Sequence, residues 1–103
     1  MLYKIKSIKH SGTCGERGTD RTDNRYPLRI GRVVELDINY IEIGYPLLLQ
    51  YVKDYDGTPM KFSLLKTSKI KNCIIIDDLE GITKYVMIET ENSIFEFERV
   101  DNE

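Results

Sequence analysis

Apolar residues along this chain recur at every second position in short runs, and helical spacing is almost absent. Such alternation sets one face of a strand against a core and the other against water, and here the runs are bounded by Gly, Pro, Asn and Asp, residues suited to turns. About seven strands are predicted. In residues 2–9, Tyr3 and Ile5 share a face until Ser7, after which Ile8 takes the apolar place, so a bulge or bend is expected there. A long connection over residues 10–27 follows. In residues 30–36, Ile30, Val34 and Leu36 oppose Arg32 and Glu35, with Val33 out of pattern. A turn at residues 37–39 then leads to the apolar Tyr40, Ile41 and Ile43.

Residues 47–53 and 60–65 flank Asp56-Gly57, the strongest hairpin signal present, because Asp-Gly suits a turn that needs positive φ. Residues 66–72 are polar around Ile70 and read as an irregular crossing or a single 3₁₀ turn before a strand at 73–76. Residues 77–81 form another turn. The clearest hairpin joins residues 82–89 to 94–100 across 90–93, with Phe95 and Phe97 on one face and Glu96 and Glu98 on the other. Both faces of residues 82–89 are apolar, Val86 and Ile88 against Tyr85 and Met87, and closure into a barrel covers both most simply.

A strand, an approximately 18-residue loop, the spacing of Gly31, Val34 and Leu36, and a tight distal hairpin together resemble SH3-like small barrels. The expected fold is all-β: a small SH3-like or related partly open barrel of about six to seven antiparallel strands with a long first loop, in one domain over residues 1–103. The stretch Thr67-Ser68-Lys69-Ile70, followed by residues 88–97 with Thr90-Glu91-Asn92-Ser93-Ile94-Phe95, resembles short uncharacterised β-proteins of bacteria and phages that end in a Thr-x-Asn-Ser-aliphatic-aromatic hairpin. That resemblance implies a fold tail and a phage or mobile-element setting, and no activity or site. Plain turn chemistry accounts for the same residues, since Asn-Ser turns a chain and Thr67-Ser68 can satisfy local backbone groups.

Composition narrows the class of protein. At 41% hydrophobic and 31% charged residues the chain is that of an ordinary folded domain. No run reaches the ~20 apolar residues of a membrane helix, so no membrane partner is expected and the predicted location is cytoplasmic. Cys14 and Cys73 are too few for a disulfide scaffold or a structural zinc site, even with His10, and neither metal nor cofactor is expected. The absence of Ala and Trp beside abundant Ile, Lys, Asn and Tyr fits AT-rich codons and a low-GC bacterium or its phage.

Charge changes the picture most. Five of the six arginines, Arg17, Arg21, Arg25, Arg29 and Arg32, fall within sixteen positions, whereas the nine lysines are scattered. A guanidinium binds phosphate or carboxylate through two parallel hydrogen bonds, which a lysine cannot do, so this loop is the expected site for a phosphate-bearing ligand or an acidic protein surface. Gly12, Gly15 and Gly18 would let backbone amides approach an anion, yet their spacing fits neither nucleotide-binding loop pattern. Were residues 16–25 helical, Arg17, Arg21 and Arg25 would share one face, but the glycines oppose this. The competing structural reading has Glu16, Asp20 and Asp23 pairing with the arginines to hold the loop on the barrel.

Residues 1–32 hold eight Lys or Arg against three acids, and residues 72–103 hold two against nine. If these segments form separate faces the molecule is a dipole; if they pair, the charges neutralise. The alternative function inverts the surface, with Glu89, Glu91, Glu96 and Glu98 docking on a basic host nucleic-acid-binding or defence protein and inhibiting it. Direct nucleic-acid binding ranks third, since net charge is −2 and no basic and aromatic interleaving marks a stacking surface. Catalysis ranks last. His10 with Cys14 lacks a nucleophile context, Asp77, Asp78 and Glu80 read as an acidic turn, Cys73 as a core residue, and Tyr40, Tyr45, Tyr51 and Tyr55 as half-buried barrel residues that could line a groove.

Overall fold

The structure, a computed structural model, describes residues 1–100. Six antiparallel strands close a barrel in chain order: β1 (Leu2–His10), β2 (Val33–Glu35), β3 (Pro46–Lys53), β4 (Leu64–Asp77), β5 (Thr83–Thr90) and β6 (Ser93–Arg99). Closure comes from β6 pairing with β1, so every strand has two neighbours; it buries the inner face of β5, with Val86 and Ile88, but leaves Tyr85 and Met87 half-buried on the outer face, where the pattern predicts full cover. The interior is filled by alternate residues of every strand, among them Tyr3, Ile5, Val34, Val86, Ile88 and Phe97, none more than 1% exposed. Phe95 and Phe97 stack within it at 6.1 Å between ring centroids. Among the described residues no helix is long and apolar enough to cross a membrane.

The slips in the apolar pattern mark real breaks in register. Pairing of β1 with β6 shifts between Ile5 and Ser7, which turns Ile8 back into the core. Pairing of β2 with β3 shifts between Val33 and Val34, so the two valines stand outside simple alternation. Gly57 at the hairpin turn adopts φ 88°, and Gly31, at φ 88°, brings its backbone so near Tyr55 that an added Cβ would lie 3.0 Å from the tyrosine Cβ.

Three segments depart from the expected strands. Residues 38–40 form a 3₁₀ turn instead of leading directly into a strand, because Asp37 Oδ1 accepts the Asn39 N–H at 2.9 Å and Ile41 continues as coil. The return arm after Asp56-Gly57 does not begin at Met60: Phe62, at φ 60°, breaks the extended chain, and β4 starts at Leu64. Residues 66–72 are no crossing at all. They run continuously into residues 73–77 as the middle of β4, whose first half pairs with β3 and second half with β5. Its polar residues face water along one side while Leu65, Thr67 and Ile70 are buried. Thr67 Oγ1 accepts the Leu47 N–H at 2.9 Å and donates to the Ser68 carbonyl, satisfying the bend where the strand changes partner.

Candidate functional site

The arginine-rich connection folds back along β1 before crossing it. The His10 N–H donates to the Thr19 carbonyl at 2.8 Å, the Gly18 N–H to the His10 carbonyl at 2.9 Å, and the Arg21 N–H to the Ile8 carbonyl at 3.0 Å. Residues 16–25 are therefore a looped-back arm, not a helix, and the i, i+4, i+8 face does not exist. Beyond it, Asn24 and Arg25 are both left-handed, with φ 49° and 62°, and Tyr26–Arg29 forms a 3₁₀ turn with Pro27 in its first turn.

Three arginines lock this arm in place. Arg21 is the most committed, with its side chain only 3% exposed. Its Nε and Nη2 grip both Asp23 oxygens at 3.1 and 2.6 Å, and its Nη1 donates to the Asn92 carbonyl at 3.1 Å and Ser93 Oγ at 2.8 Å. The guanidinium also lies 4.1 Å from the centre of the Tyr26 ring. Arg17 forms a two-point pair with the buried carboxylate of Glu89, with Nη2 at 3.0 Å from Oε1 and Nη1 on Oε2, and donates also to the Ser11 carbonyl. Arg32 pairs with Asp54 at 3.3 Å and covers the ring of buried Tyr51 at 4.8 Å. Ser11 Oγ donates to the Glu91 carbonyl, and Thr13 Oγ1 lies 3.1 Å from Asn92 Oδ1. The arm is thus clasped to the turn between β5 and β6.

Arg25 and Arg29 differ from the other three. Arg25 is exposed, and Arg29 is half-buried with its guanidinium 4.6 Å from the centre of the Tyr26 ring. Neither has a carboxylate partner among the described residues. A hollow of about 280 Å³ opens nearby between β1 and the loop, walled by Lys6, Ser7, Asp20, Arg21, Pro27 and Ile30.

The acidic hairpin is largely spoken for. Glu89 faces Arg17, which holds its carboxyl below the usual carboxylate range. Glu96 accepts from Ser7 Oγ and from the Tyr85 hydroxyl at 2.5 Å, with Lys9 Nζ at 3.6 Å; the two hydroxyls hold its carboxyl low. Burial, with Glu96 beside it, pushes the Tyr85 hydroxyl up to about 12. Glu91 and Glu98 remain exposed, while Asp101 and Glu103, which belong to the same acidic count, lie outside the described residues. Register pairs Lys4 with Glu98 on neighbouring strands, so basic and acidic segments meet and neutralise rather than forming opposed faces.

The rejected candidates for chemistry have structural duties. Asp78 caps its turn by accepting the Glu80 and Ile82 N–H groups at 2.9 and 3.0 Å and pairs with Arg99 at 2.8 Å. Cys73 is half-buried against the core, and burial pushes its thiol up, away from the reactive thiolate. Cys14 is exposed. His10 sits with Nε2 at 3.9 Å from Asp23, and its ring lies against Gly15, where an added Cβ would fall 2.8 Å from it. Of the four central tyrosines only Tyr51 is buried; Tyr40, Tyr45 and Tyr55 are exposed. No three His, Cys, Asp or Glu side chains converge to hold a metal among the described residues.

These pairings carry a pH dependence. Asp23, Asp78, Glu89 and Glu96 all have carboxyls held below their ordinary values: Asp23 and Glu89 first by an arginine, Asp78 by the Ile82 N–H and Glu96 by Ser7. A depressed folded value means that the unfolded chain takes up protons first as pH falls, so the stabilisation is complete above the ordinary carboxylate pKa of about 4 and is lost below it. Thermal melts from pH 7 downward are expected to hold a constant midpoint to about pH 5 and to drop progressively through pH 4 and 3. A midpoint that rises on acidification contradicts the ion-pair assignments.

Two of these features escape sequence reasoning. Glu89 is identifiable only as one acid among several until β5 is placed beside the arm, and the left-handed Asn24-Arg25 pair has no signature beyond the Asn. Comparison of the chain with models of known protein families, with curated proteins and with solved structures returns no match.

Proposed function

We propose that this barrel is a non-catalytic interaction module whose arginine loop binds an anion, either a phosphate-bearing molecule or an acidic protein surface, through Arg25 and Arg29. The supporting observation is that the loop divides its arginines: Arg17, Arg21 and Arg32 are consumed in holding it rigid, while Arg25 and Arg29 stand without a carboxylate. Arg25 adds a second sign. It occupies a left-handed backbone position where Gly or Asn costs least, so the fold itself does not call for a long cationic side chain there. A rigid support beneath two unpaired guanidiniums lowers the ordering cost of binding. The acidic hairpin reading has less to offer a basic partner, because Glu89 and Glu96 are already satisfied within the barrel and only Glu91 and Glu98 are exposed.

The test is titration of wild-type protein and the Arg25→Gln/Arg29→Gln double variant with inorganic pyrophosphate and with a poly-glutamate peptide, followed by calorimetry. Wild type is expected to bind one of the two at least about tenfold more tightly than the variant, a difference of ~1.4 kcal/mol. Equal affinity in both proteins, or no binding of either probe by wild type, overturns the proposal. Both proteins should melt within a few degrees of each other, since Arg25 is exposed and Arg29 gives up only its contact with the Tyr26 ring, with no ion pair lost.

A further inference from the structure

Strand β4 is longer than either neighbour can cover. Its pairing with β3 ends at Lys69, with Ile70 held by Gly44 and Tyr45, whereas its pairing with β5 continues to Asp77. From Asn72 to Ile76 the side of β4 away from β5 therefore has no strand beside it. The Cys73 N–H confirms this locally: it is capped at 2.9 Å by Oδ1 of the adjacent Asn72, a stopgap for a missing neighbour. Alternation along an antiparallel ladder turns the N–H and C=O of Ile75 the same way.

This edge is apolar on both faces. Ile74, Ile75 and Ile76 are 44–46% exposed, and register sets Cys73 and Ile75 opposite the core residues Ile88 and Val86, with Ile74 and Ile76 on the outer face opposite Met87 and Tyr85. On the inner side the chain from Ile38 to Ile43 diverges from β4 and leaves a groove of about 450 Å³ lined by Ile38, Ile41, Ile43, Cys73 and Ile75. Between Cys73 and Ile76 there is no Pro, charge or bulge of the kind that protects exposed edges from pairing. The two ends of the edge carry opposite charge, Lys71 at one and Asp77 at the other.

From this free edge we infer that the protein forms a two-fold dimer in which β4 of one copy pairs antiparallel with β4 of a second, centred on Ile74, so that Cys73 of each copy lies opposite Ile75 of the other. Antiparallel pairing sets each Lys71 beside the partner's Asp77, whereas parallel pairing would set like charges together. It supplies hydrogen-bond partners for the outward groups of Cys73 and Ile75 and brings the exposed isoleucines of both copies into contact. Asp77 accepts the Thr83 hydroxyl at 3.1 Å through one oxygen and keeps the other for the lysine.

Sedimentation equilibrium over a concentration series tests this with the full chain. Wild type is expected to be dimeric. Ile75→Lys and Ile74→Lys, on opposite faces of the edge, should each raise the dissociation constant by at least about tenfold while circular dichroism shows a folded barrel. Lys71→Glu and Asp77→Lys should each weaken the dimer, and their combination should restore it. Amide exchange at Cys73 and Ile75 should slow as concentration rises. A wild-type protein that stays monomeric at millimolar concentration overturns the inference. So does a dimer that survives both isoleucine substitutions, or one that the paired charge reversal fails to restore. The arginine loop takes no part in this interface, so its substitutions should leave the dimer unchanged.

Discussion

Arg21→Ala lowers the unfolding free energy by about 3 kcal/mol, as measured by urea denaturation, whereas Arg25→Ala shifts it by less than about 0.5 kcal/mol. The two side chains lie four positions apart in a loop that looks uniformly solvated from the sequence. Arg21 is buried and spends its guanidinium on Asp23, the Asn92 carbonyl, Ser93 Oγ and the Tyr26 ring, so truncation removes several charge-assisted hydrogen bonds together and leaves the Asn92 and Ser93 acceptors without their donor. Arg21→Lys should recover little, because one ammonium cannot reproduce the planar fork that spans Asp23 and the β5–β6 turn. Near-equal effects of the alanine substitutions at the two positions contradict the division of the loop into structural and free arginines.

Phe97→Ala costs more, about 4 kcal/mol, and measurably shifts the thermal midpoint as well. Phe97 is fully buried, stacks on Phe95, and lies on β6, which pairs with both β1 and β5. Its loss combines the transfer free energy of a large aromatic side chain with a cavity in the middle of a closed barrel, where neighbouring strands are fixed by hydrogen bonds and cannot collapse inward. Phe97→Leu, which retains much of the volume, should cost less than half as much. A loss under about 1 kcal/mol for Phe97→Ala is incompatible with this placement.

Most of the barrel is legible in the sequence because inward residues alternate. The pattern identifies the face of Tyr3, Ile5, Phe95 and Phe97 correctly, and even its irregularities at Ser7 and Val33 have counterparts in shifted register, whereas the two apolar faces of β5 look alike and only pairing decides that Val86 and Ile88 point inward. What it conceals is decided by pairing at a distance. Residues 66–72 look like a crossing because one side of β4 is wet and its bend is satisfied by Thr67, not by a turn residue. The break at Phe62 is invisible because a bulky aromatic residue in left-handed backbone defies its own preference. At the loop, clustering of arginines is plain in the sequence, but their roles depend on which acids arrive beside them. Asp23 is near in sequence; Glu89 and Asp54 are not.

The seam of the barrel has a consequence for how the molecule is made. β1 has near neighbours in β2 and in the arm folded back onto it, but the barrel cannot close, and Arg17 cannot meet Glu89, until β5 and β6 are in place. Loop closure over so long a separation is entropically costly and slow. The inner face of β1 is therefore fully covered only when β6 docks, and closure of the barrel is expected as a late step of folding.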